Sequence, residues 1–233
     1  MIKQAIRDFI VKRTFAAKLR NKGMNTFSNF EILKSIRSSA ELKRTEENRP
    51  HEVMYFHKVD DPYSHLAIQY IDKLQESFDI SFQAILVGEE NSDAVHEPSL
   101  YSTYCLDDAR RIAPFFGVEF SAASYPSAEL VIKSNKILTA VDTLNFAEVA
   151  KKVSSALWSS NESILDDLSR EYSASDEEVS NKLESGNFIR SEKDYYFGSA
   201  FYYEKELYWG VDRLHHLEDR LIELGLKKDS INE

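Results

Sequence analysis

Two acidic residues stand directly before a proline, at a position where a carboxylate can do chemistry. Asp60 and Asp61 precede Pro62, and apolar residues then recur at helical spacing. Aspartate followed by proline is a typical helix start, with the carboxylate as N-cap and the proline at the first helical position. A carboxylate held at that point can also act as a general base. Two interpretations of Asp61 therefore stay open, an N-cap alone and a general base.

The chain has one thiol. Because Cys105 is the only cysteine, the chain can form no internal disulfide and no multi-thiolate metal site. Dithiol–disulfide exchange within the chain is excluded for the same reason. Cys105 lies far along the chain from Asp61, and we expect it to be a buried, unreactive thiol.

The histidines give no pattern of metal ligands. His57 falls in a predicted strand and is expected to be a core or edge residue, and His65 should point away from the face that Ser64 occupies. His215 and His216 are adjacent and point to different faces, and no third ligand stands at metal spacing. We therefore predict no metal site.

The elements that position these residues predict an α/β fold. Residues 52–59 (EVMYFHKV) and 78–87 (FDISFQAILV) are typical of strands, with the helix from Pro62 between them. This β-α-β unit should be parallel and right-handed. A hairpin follows much later, at 200–204 and 206–209, and the chain ends in a predicted helix over 212–224 that Gly225 terminates.

The segment between the two strand regions is predicted to be helical. Five helices are indicated, with N-caps at Ser127, Asn161 and Ser175, and they cover 105–116, 127–139, 145–157, 160–172 and 175–184. The element order is thus β-α-β, a helical block, then β-β-α. We expect a thioredoxin-like domain over 51–89 and 191–228, split by an all-helical insertion domain over 90–190.

The first 50 residues differ from the rest in charge. They carry 12 basic and 5 acidic residues, whereas the whole chain has a net charge of −10, so the remainder is strongly acidic. Residues 2–20 predict a basic amphipathic helix, and residues 38–50 a linker. This N-terminal extension could pack on the acidic body or a partner protein such as a second copy in a homodimer, lie on an anionic membrane surface, or be a targeting peptide.

Composition narrows the classes of function. The apolar runs are short, which predicts no transmembrane segment, and we expect a cytoplasmic protein. An acidic body lacks the basic face that phosphates require, so nucleic-acid binding is not expected.

Three motifs in order resemble the DsbA-like thioredoxin family, and most of all its branch of 2-hydroxychromene-2-carboxylate isomerases and kappa-class glutathione transferases. The first runs from Tyr55 to Ala67 and resembles "YFD…SPYSYLA". The second, from Tyr104 to Val118, is similar to "Y…DLxRWAxxxGV", and the third, from Phe197 to Leu214, to "FGSPTF…GELFWGxDRL". The likeness covers roughly 52–226.

The resemblance implies glutathione as cofactor, with its thiolate stabilised at the positive end of the helix after the first strand. It implies catalytic roles around that turn for Asp61, Ser64 and Tyr63, in which Ser64 or Tyr63 supplies the hydrogen bond to sulfur. The glutathione-binding residues would be Pro62, Ser199, Ala200, Asp212 and Arg213. A small apolar substrate would lie under the helical insertion.

The chain departs from the family pattern at two positions. Asp61 replaces the catalytic serine, and the loop at 197–201 has no proline where the family has a cis-proline. Two functions are therefore weighed. One is a glutathione-dependent isomerase or transferase with a degenerate site, and the other is a catalytically inactive thioredoxin-fold binding or assembly module. Thiol–disulfide oxidoreduction is disfavoured because there is only one cysteine.

Overall fold

The computed structural model describes residues 29–88, 95 and 97–229. The chain divides into two compact units, 1–49 and 50–233. The amphipathic helix predicted over 2–20 lies outside the described residues.

In the first unit, the prediction of a linker over 38–50 was wrong. Helix α1 spans Phe30–Glu46, with Asn29 as N-cap accepting a hydrogen bond from the Glu31 amide at 3.0 Å. An ion pair between Arg44 and Glu41 at 2.6 Å joins successive turns. A largely polar sequence can be helical when caps and such i, i+3 pairs supply the stabilisation that an apolar face would otherwise provide.

The second unit is built on a four-stranded sheet. The strands are β1 (Glu52–His57), β2 (Ser81–Leu86), β3 (Ala200–Tyr203) and β4 (Glu206–Trp209), in the order β2-β1-β3-β4. β1 and β2 are parallel and are connected by helix α2 (Pro62–Ser77), which confirms the predicted β-α-β unit. β3 runs antiparallel to both β1 and β4, which confirms the hairpin.

In the part of the helical block that the structure describes there are five α-helices. They are α3 (Pro98–Ile112), α4 (Ala128–Ala140), α5 (Phe146–Trp158), α6 (Glu162–Glu171) and α7 (Asp176–Ser191). The caps at Ser127, Asn161 and Ser175 are confirmed, the last as a capping box with Glu178. α3 begins earlier than predicted because Pro98 stands at its first position, and α7 continues past its predicted end through Gly186.

The final helix differs from its prediction at its start. A helix was expected from residue 212, but Val211–Arg213 form a 3₁₀ turn and α8 spans Leu214–Glu223. The Asp212 carboxylate accepts a hydrogen bond from Arg213 at 2.7 Å. Gly225, at φ +73°, follows the helix end as predicted.

The sheet is buried on both faces. Tyr55 and Phe201 face the larger core, where α2 and α8 contribute Leu66, Ile71 and Leu217. Phe56 and Ala200 face the opposite side, where Ile189 of α7 packs against them. Alternate residues of each strand thus lie in different cores, as the pleat of a strand requires. Among the described residues, no helix combines the length and apolar character that a bilayer span requires.

Candidate functional site

The carboxylate of Asp61 occupies the N-terminus of α2. One oxygen accepts the Tyr63 amide hydrogen at 3.1 Å, and the other accepts the Ser64 amide hydrogen at 3.0 Å. The predicted N-cap is confirmed, with Pro62 at the first helical position. The amide groups that make a helix N-terminus attractive to an anion are therefore already bonded to a carboxylate of the chain itself.

Ser64 lies behind Asp61 in the interior. Its hydroxyl donates to the Asp61 carboxylate at 2.8 Å and accepts the Lys58 amide hydrogen at 3.2 Å, and the residue is fully buried. Its carbonyl accepts the Tyr55 hydroxyl at 3.0 Å. The Ser64 hydroxyl thus supports Asp61.

The loop before β3 approaches this turn closely. A Cβ atom on Gly198 would lie 2.7 Å from Lys58 Cβ and 3.0 Å from an Asp61 carboxylate oxygen, so only glycine leaves the turn undisturbed. Ser199 is fully buried at φ +54°, and its carbonyl accepts the Gly210 amide hydrogen at 2.8 Å. Ala200 is the buried first residue of β3, paired with Trp209.

A cavity of 390 Å³ opens beside Asp61. The N-terminal turn of α2, helix α3, the 197–198 loop and the end of β4 contribute to its wall. Its described lining is formed by Lys58, Asp60, Asp61, Pro62, Tyr63, Val95, Pro98, Tyr101, Ser102, Cys105, Tyr125, Phe197, Gly198 and Trp209.

Of the eight residues predicted for the site, the structure brings three to the cavity, Asp61, Pro62 and Tyr63. Ser64, Ser199 and Ala200 lie nearby but are fully buried. Asp212 and Arg213 form a half-exposed ion pair at 2.7 Å and are not among the described lining residues. The turn that they form therefore does not extend the described cavity.

Tyr63 joins α2 to α3. Its hydroxyl donates to an Asp108 carboxylate oxygen at 2.8 Å, and the edge of its ring meets Trp209 with the centroids 6.2 Å apart. Burial and the hydrogen bond to Asp108 raise the pKa of Tyr63 well above its usual value. Tyr63 is therefore a neutral phenol that positions the cavity wall.

Replacing Tyr63 with phenylalanine should lower the free energy of unfolding by about 1 kcal/mol, because the charge-assisted hydrogen bond to Asp108 is lost. Tyr104→Phe is a matched control on α3, since Tyr104 is exposed. Urea unfolding of Tyr63→Phe, Asp108→Asn and the double variant measures the coupling between the two residues. Equal losses in the Tyr63 and Tyr104 variants would contradict this assignment.

Cys105 lies at the cavity although it is 44 residues from Asp61 in sequence. Its exposed fraction is 2%, which confirms the expected burial. Burial raises its pKa to about 11, and the negative charge of Asp61 adds to the effect. The thiol is therefore protonated at neutral pH and a weak nucleophile. No sequence pattern predicted that α3 would bring this residue to Asp61.

The sequence patterns also did not predict that aromatic side chains line the cavity. Trp209 is 39% exposed and lines the cavity. Its ring stacks on Phe197, with centroids 5.2 Å apart and an angle of 13° between the planes. Tyr101 and Tyr125 come from the helical block, and only the packing of that block on the sheet shows that they share a cavity with Trp209.

His57 and His65 belong to the interior. His57 is 1% exposed, with its Nδ1 3.0 Å from the Tyr55 hydroxyl, so of the two expected positions, core or edge, it has the core one. His65 is buried, and its Nδ1 lies 2.8 Å from the Ser154 hydroxyl. Burial lowers the pKa of His57 to about 3 and that of His65 to about 4. His65 lines a second cavity of 410 Å³ with Lys151 and Gln69, and is not among the described residues around the first.

Comparison with known proteins finds the fold in solved structures. No family model matches the chain, and no curated protein matches it either. The structure of a 2-hydroxychromene-2-carboxylate isomerase superposes with a TM-score of 0.56 at 18% identity, covering 75% of this chain and 96% of that one. A candidate protein disulfide isomerase from Nitrosomonas europaea gives 0.52 at 10% identity, covering 76% and 99%.

This chain has the DsbA-like thioredoxin fold. The fold that the three sequence motifs implied is thereby confirmed. At these identities the likeness concerns the fold alone.

The DsbA-like fold places the α2 N-terminus at the cavity, where the resemblance implies a thiolate, but the residues present do not fit one. The amide groups of residues 63 and 64 bond to Asp61. The described lining has two acidic side chains, Asp60 and Asp61, and one basic side chain, Lys58, whose Nζ lies 3.4 Å from Asp60. A thiolate would meet a carboxylate in place of hydrogen-bond donors.

Proposed function

We propose that this DsbA-like protein binds a small molecule non-covalently in the cavity beside Asp61 and carries out no thiol chemistry. The observation that carries the proposal is the pair of hydrogen bonds from the Tyr63 and Ser64 amides to the Asp61 carboxylate. They use the donors on which thiolate stabilisation at a helix N-terminus depends. The protein is then a thioredoxin-fold binding module.

Electrostatics supports the same conclusion. Two like charges at about 4 Å repel by roughly 4 kcal/mol at an effective dielectric constant of about 20, which is several pKa units for a bound thiol. Cys105 shows the direction of the effect on a thiol pKa, because burial raises its pKa and the charge of Asp61 raises it further. A thiol of glutathione placed beside Asp61 would experience the same charge.

A second candidate is a glutathione-dependent enzyme of the isomerase or transferase type. The fold shared with a 2-hydroxychromene-2-carboxylate isomerase and the partly apolar cavity wall favour it. Bound glutathione would supply a nucleophilic thiol. Pro62 and Tyr63 would hold the tripeptide, Asp61 would accept a proton, and an apolar substrate would pack on Phe197 and Trp209.

Calorimetric titration with glutathione separates the two candidates. We expect the unmodified protein to give no binding heat at millimolar glutathione. Asp61→Ser should bind glutathione more tightly, by at least about fivefold, because the charge is removed and a serine cap occupies only one of the two amide groups that Asp61 occupies. Serine keeps an N-cap acceptor, so the fold should persist, and thermal unfolding checks this.

The absorbance of the thiolate gives a second measurement. In Asp61→Ser, bound glutathione should show a lower thiol pKa than free glutathione. If the unmodified protein binds glutathione and lowers its thiol pKa, the binding-module proposal is wrong and the glutathione-dependent enzyme takes its place.

A further inference from the structure

Aromatic rings form a large part of the cavity wall. Five of the described lining residues are aromatic and come from α2, α3, the segment before α4, the 197–198 loop and β4, namely Tyr63, Tyr101, Tyr125, Phe197 and Trp209. Phe197 links two of the others, since its ring stacks on Trp209 at 5.2 Å and on Tyr101 at 6.0 Å. A volume of 390 Å³ lies within the range of about 300–1,000 Å³ that is typical for small-molecule sites.

Acidic side chains lie at one end of this wall. Asp60 and Asp61 are adjacent at the start of α2, and Lys58 is the single basic side chain among the described lining residues. The Asp108 carboxylate lies just beyond, 2.8 Å from the Tyr63 hydroxyl. The described lining therefore has a net negative charge next to a set of π systems.

The negative charge of Asp61 also contributes to the pKa shifts of two neighbouring groups. Burial, and then the charge of Asp61, raise the pKa of Tyr195, and both also raise the pKa of Cys105. These residues come from two different elements, Cys105 from α3 and Tyr195 from the segment that precedes β3. Burial, the larger cause, disfavours any charged form, whereas the Asp61 carboxylate specifically disfavours a second anion beside it.

We propose, on the basis of the proposed binding function, that the ligand of this cavity is a small organic cation carrying a substituted ammonium group. The ammonium would lie against the aromatic wall, with Asp60 and Asp61 as its counter-charges. Ring faces attract a cation through their quadrupole, most strongly in tryptophan, and the attraction increases when water is excluded. A carboxylate at one end of an apolar wall then orients the ligand.

A bare metal ion fits this lining less well. Within 29–88, 95 and 97–229, no three histidine, cysteine, aspartate or glutamate side chains are grouped so that they could hold a metal ion. Aromatic walls supply no ligands to hard cations, which take oxygen. An alkylated ammonium, by contrast, has an apolar surface that the aromatic wall can bury.

Calorimetric titration of the full chain with choline and with its neutral isostere 3,3-dimethylbutan-1-ol tests the charge preference. The two probes have the same shape, so their difference measures the positive charge. We expect choline to bind at least about fivefold more tightly, corresponding to roughly 1 kcal/mol from cation–π and carboxylate attraction. Higher salt should weaken choline binding and leave the alcohol unaffected.

Variants test which residues produce the preference for choline. Asp60→Asn should weaken choline binding by at least about threefold without changing the affinity for the alcohol. Asp212→Asn is the matched control, because Asp212 is not among the described cavity residues and should leave both affinities unchanged. Trp209→Leu should weaken choline binding while the fold persists, since Trp209 is partly exposed.

The results that would overturn the cation inference differ from those that would overturn the proposed function. Equal affinities for the two probes, or no choline binding at millimolar concentration, would overturn the cation inference. Neither result would contradict the binding-module proposal, which the glutathione titration tests. An Asp212→Asn effect equal to that of Asp60→Asn would also overturn it. Thiolate formation on glutathione in the unmodified protein would instead overturn the proposed function.

Discussion

Replacing Gly186 with alanine should destabilise the protein by about 3 kcal/mol or more. Gly186 lies in α7 where the helix crosses β2. An added Cβ atom would lie 1.9 Å from the Leu86 carbonyl oxygen and 3.3 Å from Ile85 Cγ2. The first contact is with backbone in the sheet, which cannot rotate away as a side chain can. Helix α7 would have to move off the sheet and expose the core around Phe56.

The sign of the change in stability distinguishes a buried Gly186 from an exposed one. Helix propensity alone would favour alanine over glycine by about 1 kcal/mol, so an exposed Gly186 would be stabilised by the same change. Ser185→Ala is the control, because Ser185 is the exposed neighbour in the same helix. Urea unfolding of the three proteins measures the difference. A Gly186→Ala protein as stable as Ser185→Ala would mean that α7 does not approach β2.

Stability should fall steeply as the pH is lowered from neutral towards 4, because two histidines are buried in neutral form. Burial lowers the pKa of His57 to about 3 and that of His65 to about 4, from an ordinary value of 6.5. Below 6.5 the unfolded chain takes up protons at both positions and the folded chain does not. Each histidine should then reduce the free energy of unfolding by about 1.4 kcal/mol per pH unit, down to its folded pKa.

Urea unfolding between pH 7 and pH 5 measures this slope. His65→Gln keeps a hydrogen-bonding group near Ser154 and should flatten the dependence by about one proton. Nitrogen chemical shifts give a direct check, since both imidazoles should stay neutral at pH 5. Titration of either ring near 6.5 would contradict its buried, neutral assignment.

Local signals in the sequence were sufficient for the fold. Asp61-Pro62 predicted the start of α2, and the structure has both hydrogen bonds of that cap. The hairpin was predicted from two short apolar runs around Lys205, and Glu204 and Lys205 form its turn with positive φ. Each of these features depends on hydrogen bonds between residues a few positions apart, so the sequence around it carries the information.

Predictions failed where a local pattern allowed more than one outcome. Asp212 is well suited to cap a helix, yet it lies inside a 3₁₀ turn and binds Arg213. The polar segment from 38 to 46 was expected to be a linker, yet it completes α1 because side-chain pairs such as Glu41–Arg44 support the helix. In both places the alternatives differ by about 1 kcal/mol, which sequence patterns do not resolve.

The sequence by itself determined the β-α-β and β-β-α order, the acidic residue at the start of α2 and the absence of a second thiol. Tertiary structure alone decided that Cys105, Tyr101 and Phe197 meet Asp61 in one cavity. The physical reason is the separation along the chain of the residues that interact. Caps and strand pleats come from interactions within a few residues, whereas a cavity forms where surfaces separated by up to about 150 positions pack without filling the space between them.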